Sequence, residues 1–376
     1  MSYPTVRLRD VSSTPRYMTH WERVKYTKIH VLTELVAEMV THSYDVLSDI
    51  LVYFYTFMPV GRVFLLRCPL PLTISYATGV GSAAAFIVGN VTTQPIGSLF
   101  TVGVAYSIGI MLAIVICGAA SAGHFNPGVT ISFVLLRKFS VRKAVLYILA
   151  QIFGAYVACL VVYVQWKDLI AAAEGVLVEK GLYDTLMFTP DGPAGAFALY
   201  VLPGTNLYRA LLNEFITDFV IGLAISTSLD PTNHMVPPAA APWVIGFTYG
   251  MAIWGFSPTA IAANTARDVG ARFMTLTIWG RQAAGGPYAA IAALTNIPAT
   301  VLAFFFYDTF LGSSSRTLTP SHVAFLKAHK MYHEENGLVP AGYLSALGQH
   351  RDSTSSRSFD EKQPIHTTME VSARNV

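Results

Sequence analysis

The chain has 376 residues, of which 53% are hydrophobic and only 12% charged, with a formal net charge of +3. Soluble domains carry about 25% charged residues, so this composition argues against a soluble enzyme, a disordered protein and a nucleic-acid binder. The mean hydropathy of +0.47 agrees.

The charges sit in blocks. No Lys, Arg, Asp or Glu lies between Arg67 and Arg137, from Ala144 to Gln165, from Pro231 to Ala266, or from Gln282 to Tyr307. A bilayer-spanning helix needs roughly 20 mostly apolar residues. Each gap is long enough, and the first holds more than one crossing. In chain order, the pattern predicts an imperfect first span within 31–90, then spans over 98–119, 143–164, 209–229, 240–257 and 287–309. The fourth carries Glu214 and Asp218. Gly103/Ser107, Gly154/Ala158 and Gly246/Gly250 repeat small residues at a spacing of four, which lets helix backbones approach closely in lipid.

Cytoplasmic segments carry the Lys/Arg excess. Residues 1–30 hold six basic residues, segment 137–143 holds four, and the tail 311–376 holds seven. Segment 166–207 holds two Lys against five acids. Both termini are therefore expected in the cytoplasm. The chain divides into a cytoplasmic tail 1–30, a first half-repeat 31–165 and an extracellular loop 166–208. A second half-repeat 209–310 and a cytoplasmic tail 311–376 follow.

Two apolar segments, 124–136 and 259–276, are too short to span. Each begins with an Asn followed by a residue suited to a first helical turn and a small residue: Asn126-Pro127-Gly128 and Asn264-Thr265-Ala266. Asn is a favoured N-cap, and Pro is favoured at the first helical position. The order span, span, short helix, span occurs twice. Three crossings per half invert the second copy, and matching interrupted helices then mark a transport site at the bilayer midplane. Two N-termini meeting there each present about half a positive charge. With their oxygens used as caps, both Asn NH₂ groups would face the lumen and donate to a passing water or alcohol. The field opposes cations and proton hopping, and passive flow needs no ion coupling.

These boxes resemble those of the major intrinsic protein family, the aquaporins and aquaglyceroporins. His124-Phe125-Asn126-Pro127-Gly128-Val129-Thr130 is similar to the family's first Asn-Pro-Ala box. Asn264-Thr265-Ala266-Arg267-Asp268-Val269-Gly270 is similar to the second, with its trailing Arg. Ala37-Glu38-Met39 and Asn213-Glu214-Phe215 resemble the acidic phrases of the first and fourth helices, and Asn264–Gly270 and Ala290–Pro298 look most like fungal members. The resemblance covers about 30–310. It implies an all-α membrane fold of six spans and two re-entrant half-helices, and a homotetramer with one pore per subunit. It also implies that Glu38 and Glu214 support the re-entrant loops, and that Tyr106, Ala252, Ile261 and Arg267 form a selectivity filter. Water-only members usually place His at the position of Ala252, so a wider opening is expected. Asp268 and Arg272 resemble the glycerol-conducting branch. The implied function is passage of water, glycerol and other small neutral solutes.

The sequence departs from the family at both boxes, Asn-Pro-Gly and Asn-Thr-Ala. Gly128 should loosen its helix by under about 1 kcal/mol relative to Ala, and Thr265 adds a hydroxyl near the lumen. A larger departure is an atypical insert over 40–78. Glu38 to Asn126 is 88 residues and Glu214 to Asn264 is 50, so the first half is longer by 38. The insert is either a real extended loop or translated non-coding sequence.

A water-selective channel, an ion-coupled transporter using Asp218 and a non-conducting channel relative remain as alternatives. A membrane enzyme would need an acid or His cluster that the sequence does not offer, and no cofactor or metal site is expected. His329 and His333, four apart, lack supporting ligands. His124 reads as packing or bonding near the inner mouth. Three cysteines are too few for a disulfide framework, and Cys117 and Cys159 read as helix packing. Asn90-Val91-Thr92 is an N-glycosylation sequon on the expected outer side, and the Ser-rich stretch 352–358 reads as a disordered tail open to phosphorylation. The plasma membrane is the expected location; nucleic acid is not an expected partner, while membrane lipids are.

Overall fold

A computed structural model describes residues 74–325, apart from Ala122, Thr259 and 313–315, together with Ala328. Glu38, most of the insert, the N-terminal tail, the histidines at 329 and 333 and the Ser-rich stretch lie outside the described residues.

The described chain is helical: α1 (Ile74–Val91), α2 (Leu99–Ser121), α3 (Pro127–Arg137), α4 (Val141–Glu179) and a one-turn α5 (Tyr183–Leu186). After these come α6 (Leu207–Leu229), α7 (Ala241–Gly255), α8 (Thr265–Trp279), α9 (Tyr288–Leu294) and α10 (Asn296–Phe306). Among the described residues, four stretches are long and apolar enough to cross a membrane: Leu99–Gly118, Val141–Glu179, Leu207–Leu229 and Tyr288–Leu311. Their lipid-ready character is visible in bulky side chains left exposed along them, such as Val115, Leu149, Phe153 and Phe305. In water such faces would be a liability; in a bilayer they meet their own kind.

Packing follows the repeat. Helix α1 packs on α2 as α6 packs on α7; α1 on α4 as α6 on α10; α4 on α8 as α10 on α3. The central α2–α7 contact is its own mate. It is close because of small residues: a methyl at Gly246 or Gly250 would run into Ser107, and one at Gly103 into the Trp254 indole. Without a hydrophobic drive between helices in lipid, such close packing is the main source of their association.

The segment expected as an outer loop from 166 is different. Helix α4 continues to Glu179, 39 residues in all, or about 58 Å against a hydrocarbon core of about 30 Å. Its C-terminal third is held in the same buried cluster as α1 and α8. Ile170, Ala173 and Leu177 point inward onto Met187, Ala194, Phe197 and Ala198, all of them buried. The Trp279 indole, at the end of α8, donates to Glu174 Oε1 at 2.9 Å. A helix leaving lipid needs no unbroken apolar run, only one buried stripe, so Lys167 and Asp168 do not end it.

Candidate functional site

Both short helices start as abruptly as their sequences suggest. Asn126 is extended (φ −150°, ψ 127°) and its Oδ1 accepts from Gly128 N at 2.7 Å. Asn264 is also extended (φ −163°, ψ 117°), and its Oδ1 accepts from Ala266 N at 2.9 Å and Arg267 N at 3.3 Å. Each cap satisfies first-turn N–H groups that no helix can satisfy itself.

The NH₂ groups then reach across. Asn264 Nδ2 donates to the carbonyl of Phe125 at 2.8 Å, and Asn126 Nδ2 to that of Ala263 at 3.3 Å. This reciprocal pair brings the two helix N-termini together at one centre. It also corrects the expectation that both amides face the lumen in full. One N–H of each is committed to the opposite loop, which leaves one, since an amide carries two. The Tyr249 hydroxyl stands beside Asn126. The accepting carbonyls are aimed by backbone strain. Phe125 (φ 49°) and Ala263 (φ 54°), each directly before its Asn, lie in the left-handed region. Non-Gly residues there cost about 1–3 kcal/mol each and persist only where their surroundings enforce it.

Part of that enforcement is Glu214. Its side chain is fully buried in α6. Its Oε1 accepts from Ala262 N at 2.8 Å and Ala263 N at 2.7 Å, and its Oε2 also accepts from Ala262 N at 3.1 Å. Ala263 carries a third bond, since its carbonyl accepts from Asn296 Nδ2 at 3.2 Å. On the other loop, Thr130 Oγ1 donates to the Asn126 carbonyl at 3.1 Å and accepts from Gln151 Nε2 at 3.1 Å. His124 is buried among Phe133, Phe139 and Tyr147, with its Nδ1 3.3 Å from Thr130 Oγ1.

Of the four filter candidates, Tyr106 and Arg267 are bonded to each other, and Ala252 and Ile261 belong to one apolar cluster. Arg267 Nη2 donates to the Tyr106 hydroxyl at 3.1 Å, while Nη1 is buried with no partner among the described residues. Ala252 is buried in one cluster with Ala263 and Val129, and Ile261 packs against it. Thr265 Oγ1 is likewise buried without a bond. Asp268 and Arg272 form a buried pair in α8, with Arg272 Nη2 2.7 Å from Asp268 Oδ1. Arg272 also donates to the carbonyls of Leu199 at 2.9 Å and Ala284 at 3.2 Å, tying two connecting segments to the half-helix. Asn90 is exposed at the end of α1, and the Cys117 and Cys159 side chains are buried. No cluster of metal-ligating side chains occurs among the described residues.

Sequence reasoning missed the Phe125 and Ala263 carbonyls and Asn296. Nothing flags a left-handed residue that is not Gly. Asn296 carries a signal, a polar side chain in an apolar span.

Opposed half-helices meeting by capped N-termini inside an inverted helical repeat define a membrane channel of the two-box kind. The chain belongs to the major intrinsic protein family, whose model matches residues 72–283. It is 44% identical to "Aquaporin-3" of Laccaria bicolor over 90% of this chain and 96% of that protein. It is 32% identical to "Aquaglyceroporin-2" of Rhizophagus irregularis over 54% of this chain and 62% of that protein. The crystal structure of the aquaglyceroporin from Plasmodium falciparum shares the fold, with a TM-score of 0.51 and 21% identity over 63% of this chain and 95% of that chain.

Proposed function

We propose that this chain is a passive pore for water, glycerol and other small neutral solutes. The observation that carries the reading is the reciprocal bonding of Asn126 and Asn264, which sets two electropositive helix ends at one point. A cation arriving there meets like charge, while a neutral hydroxyl meets donors. Among the sequence alternatives, an ion-coupled transporter and a non-conducting relative are not favoured by the family membership.

Glycerol passage is supported by three features. Ala252 is small and apolar, Arg267 keeps one unpartnered donor, and a relative bears the name aquaglyceroporin. An apolar wall at Ala252 and Ile261 suits a carbon backbone, and Arg267 with Tyr106 suits its hydroxyls. The assembly is read as a homotetramer in the plasma membrane with both termini cytoplasmic. The exposed Asn90 then faces outward, and glycosidase-sensitive gel mobility would test that side.

The deciding experiment is swelling of proteoliposomes holding the full chain. Water and glycerol fluxes are expected to rise linearly with the gradient and to ignore protonophores and sodium. Saturable, proton-dependent uptake would overturn the reading. Ala252→His should depress glycerol flux more than water flux, and Arg267→Val should relax selectivity; no change in the latter removes Arg267 from the filter.

A further inference from the structure

Gly79 lies buried in α1, directly against the Tyr106 ring. A methyl group at position 79 would sit 2.5 Å from Cδ1, Cε1 and Cζ of Tyr106, three consecutive ring atoms. The backbone gives no reason for glycine here, because Gly79 is not among the positive-φ residues. Glycine is in fact unfavourable inside a helix relative to alanine. Two residues on, Gly81 shows the contrast: a methyl there would meet only the Trp166 indole nitrogen at an ordinary 3.7 Å. The missing side chain at 79 is thus space, and the Tyr106 ring occupies it.

The hydroxyl on Cζ of the same ring is also held, accepting from Arg267 Nη2 at 3.1 Å. Tyr106 is therefore clamped between the α1 backbone and the arginine of the second box. We infer that Gly79 is a positioning residue for solute selectivity: by seating the Tyr106 ring against α1 it sets the opening between Tyr106 and Arg267. This inference rests on the reading of Tyr106 and Arg267 as filter residues. A methyl at 79 displaces the ring, because a side chain yields more readily than packed backbone. The ring moves away from α1, which changes its spacing from Arg267. Glycerol is wider than water and feels the change first.

The test is a cycle of four full-length proteins in proteoliposomes: wild type, Gly79→Ala, Tyr106→Ala and the double variant, each read for water and glycerol flux. Gly79→Ala should lower the glycerol-to-water flux ratio by about tenfold, the discrimination that one methylene commands in a fitted pocket. In the Tyr106→Ala background the same substitution should leave the ratio unchanged, because no ring remains to displace. An unaltered ratio in the single variant, with water flux intact, overturns the inference. So does an equal fall in both backgrounds, which would mark Gly79 as ordinary helix packing. If Gly79→Ala does not assemble, Tyr106→Ala must restore monodisperse protein; failure to do so overturns it too. Tyr106→Ala with wild-type ratio would instead sink the filter assignment itself, so the two failures are distinct.

Discussion

Gly128, the third residue of the first box, lies against Asn296 of α10. A methyl group at position 128 would sit 2.8 Å from Asn296 Oδ1 and 2.9 Å from both the Asn296 carbonyl oxygen and Thr300 Oγ1. Two opposing terms act on Gly128→Ala. Helix propensity favours Ala by about 1 kcal/mol, while overpacking a closed site costs typically 1–3 kcal/mol. One of the three neighbours is backbone and cannot turn away, so overpacking wins. Restoring the alanine usual in the family should lower the unfolding temperature of the detergent-solubilised protein. A higher unfolding temperature would show that α10 can retreat. The departure at the first box is thus coupled to Asn296 and Thr300 across the repeat, rather than being a loosened helix.

Two ion pairs of similar geometry should differ in weight. Arg272 and Asp268 form a pair whose side chains are only 10% and 0% exposed. Breaking a buried pair by removing one partner costs about 3–5 kcal/mol, and Arg272→Ala also releases the Leu199 and Ala284 carbonyls. Arg137 makes a bidentate contact with Asp308, at 2.6 Å on both arms, but those side chains are 43% and 33% exposed. Exposed pairs contribute about 0–1 kcal/mol. Thermal unfolding should therefore show a large loss for Arg272→Ala and a small, salt-sensitive one for Arg137→Ala. Equal losses would contradict the burial argument.

Much of the fold was legible because lipid imposes a blunt rule. Charge-free stretches of sufficient length became α2, the inner part of α4 and the α9–α10 span, and the apolar run around Glu214 and Asp218 became α6. The two box asparagines were legible as caps because an N-cap is a local device, written in three or four residues. The extension of α4 was harder to read. Its apolar stripe, Ile170, Ala173 and Leu177, has helical spacing, but the charges in and around it, Lys167, Asp168, Glu174 and Glu179, resemble a loop. Asp268 and Arg272 were noticed as markers of solute type, while their contacts with Leu199 and Ala284 are long-range and invisible to spacing. The left-handed Phe125 and Ala263 were illegible altogether, since their conformation is imposed by Glu214, Asn296 and the partner loop rather than by their own side chains.

Asp218 lies one turn beyond Glu214 on α6, fully buried, and among the described residues neither its carboxyl oxygens nor the nearby Asn296 Oδ1 has a hydrogen-bond partner. The Asn296 amide stands beside the carboxyl group. A passive pore gives this acid no coupling task. Asp218→Asn keeps the shape and removes an ionisable group one turn from Glu214. Water and glycerol flux should persist, and the unfolding temperature should hold or rise. Loss of flux, or disappearance of a proton dependence present in the wild type, would move Asp218 into the transport cycle and return the ion-coupled alternative.

Asp230, just past the end of α6, gives the channel an acid-sensitive joint outside the spans. Partial burial pushes its carboxyl up. Bonds from Thr232 and Tyr307, with Arg316 nearby, pull harder the other way, and the net direction is below the usual carboxylate range. Its Oδ1 accepts from Thr232 N at 2.8 Å and Thr232 Oγ1 at 2.7 Å, and its Oδ2 accepts from the Tyr307 hydroxyl at 2.8 Å. The next residue, Pro231, receives the Thr319 N–H at 3.2 Å, so the segment after α10 is anchored at the same place. A carboxyl held low in the folded state adds stability above its unfolded value of about 4, and that stability is lost as pH falls through the lower folded value. The unfolding temperature should therefore drop on acidification below about pH 4, and Asp230→Asn should lower the pH 7 value while shrinking the drop. An identical acid response in the variant would show that these bonds do not distinguish the charged from the neutral carboxyl.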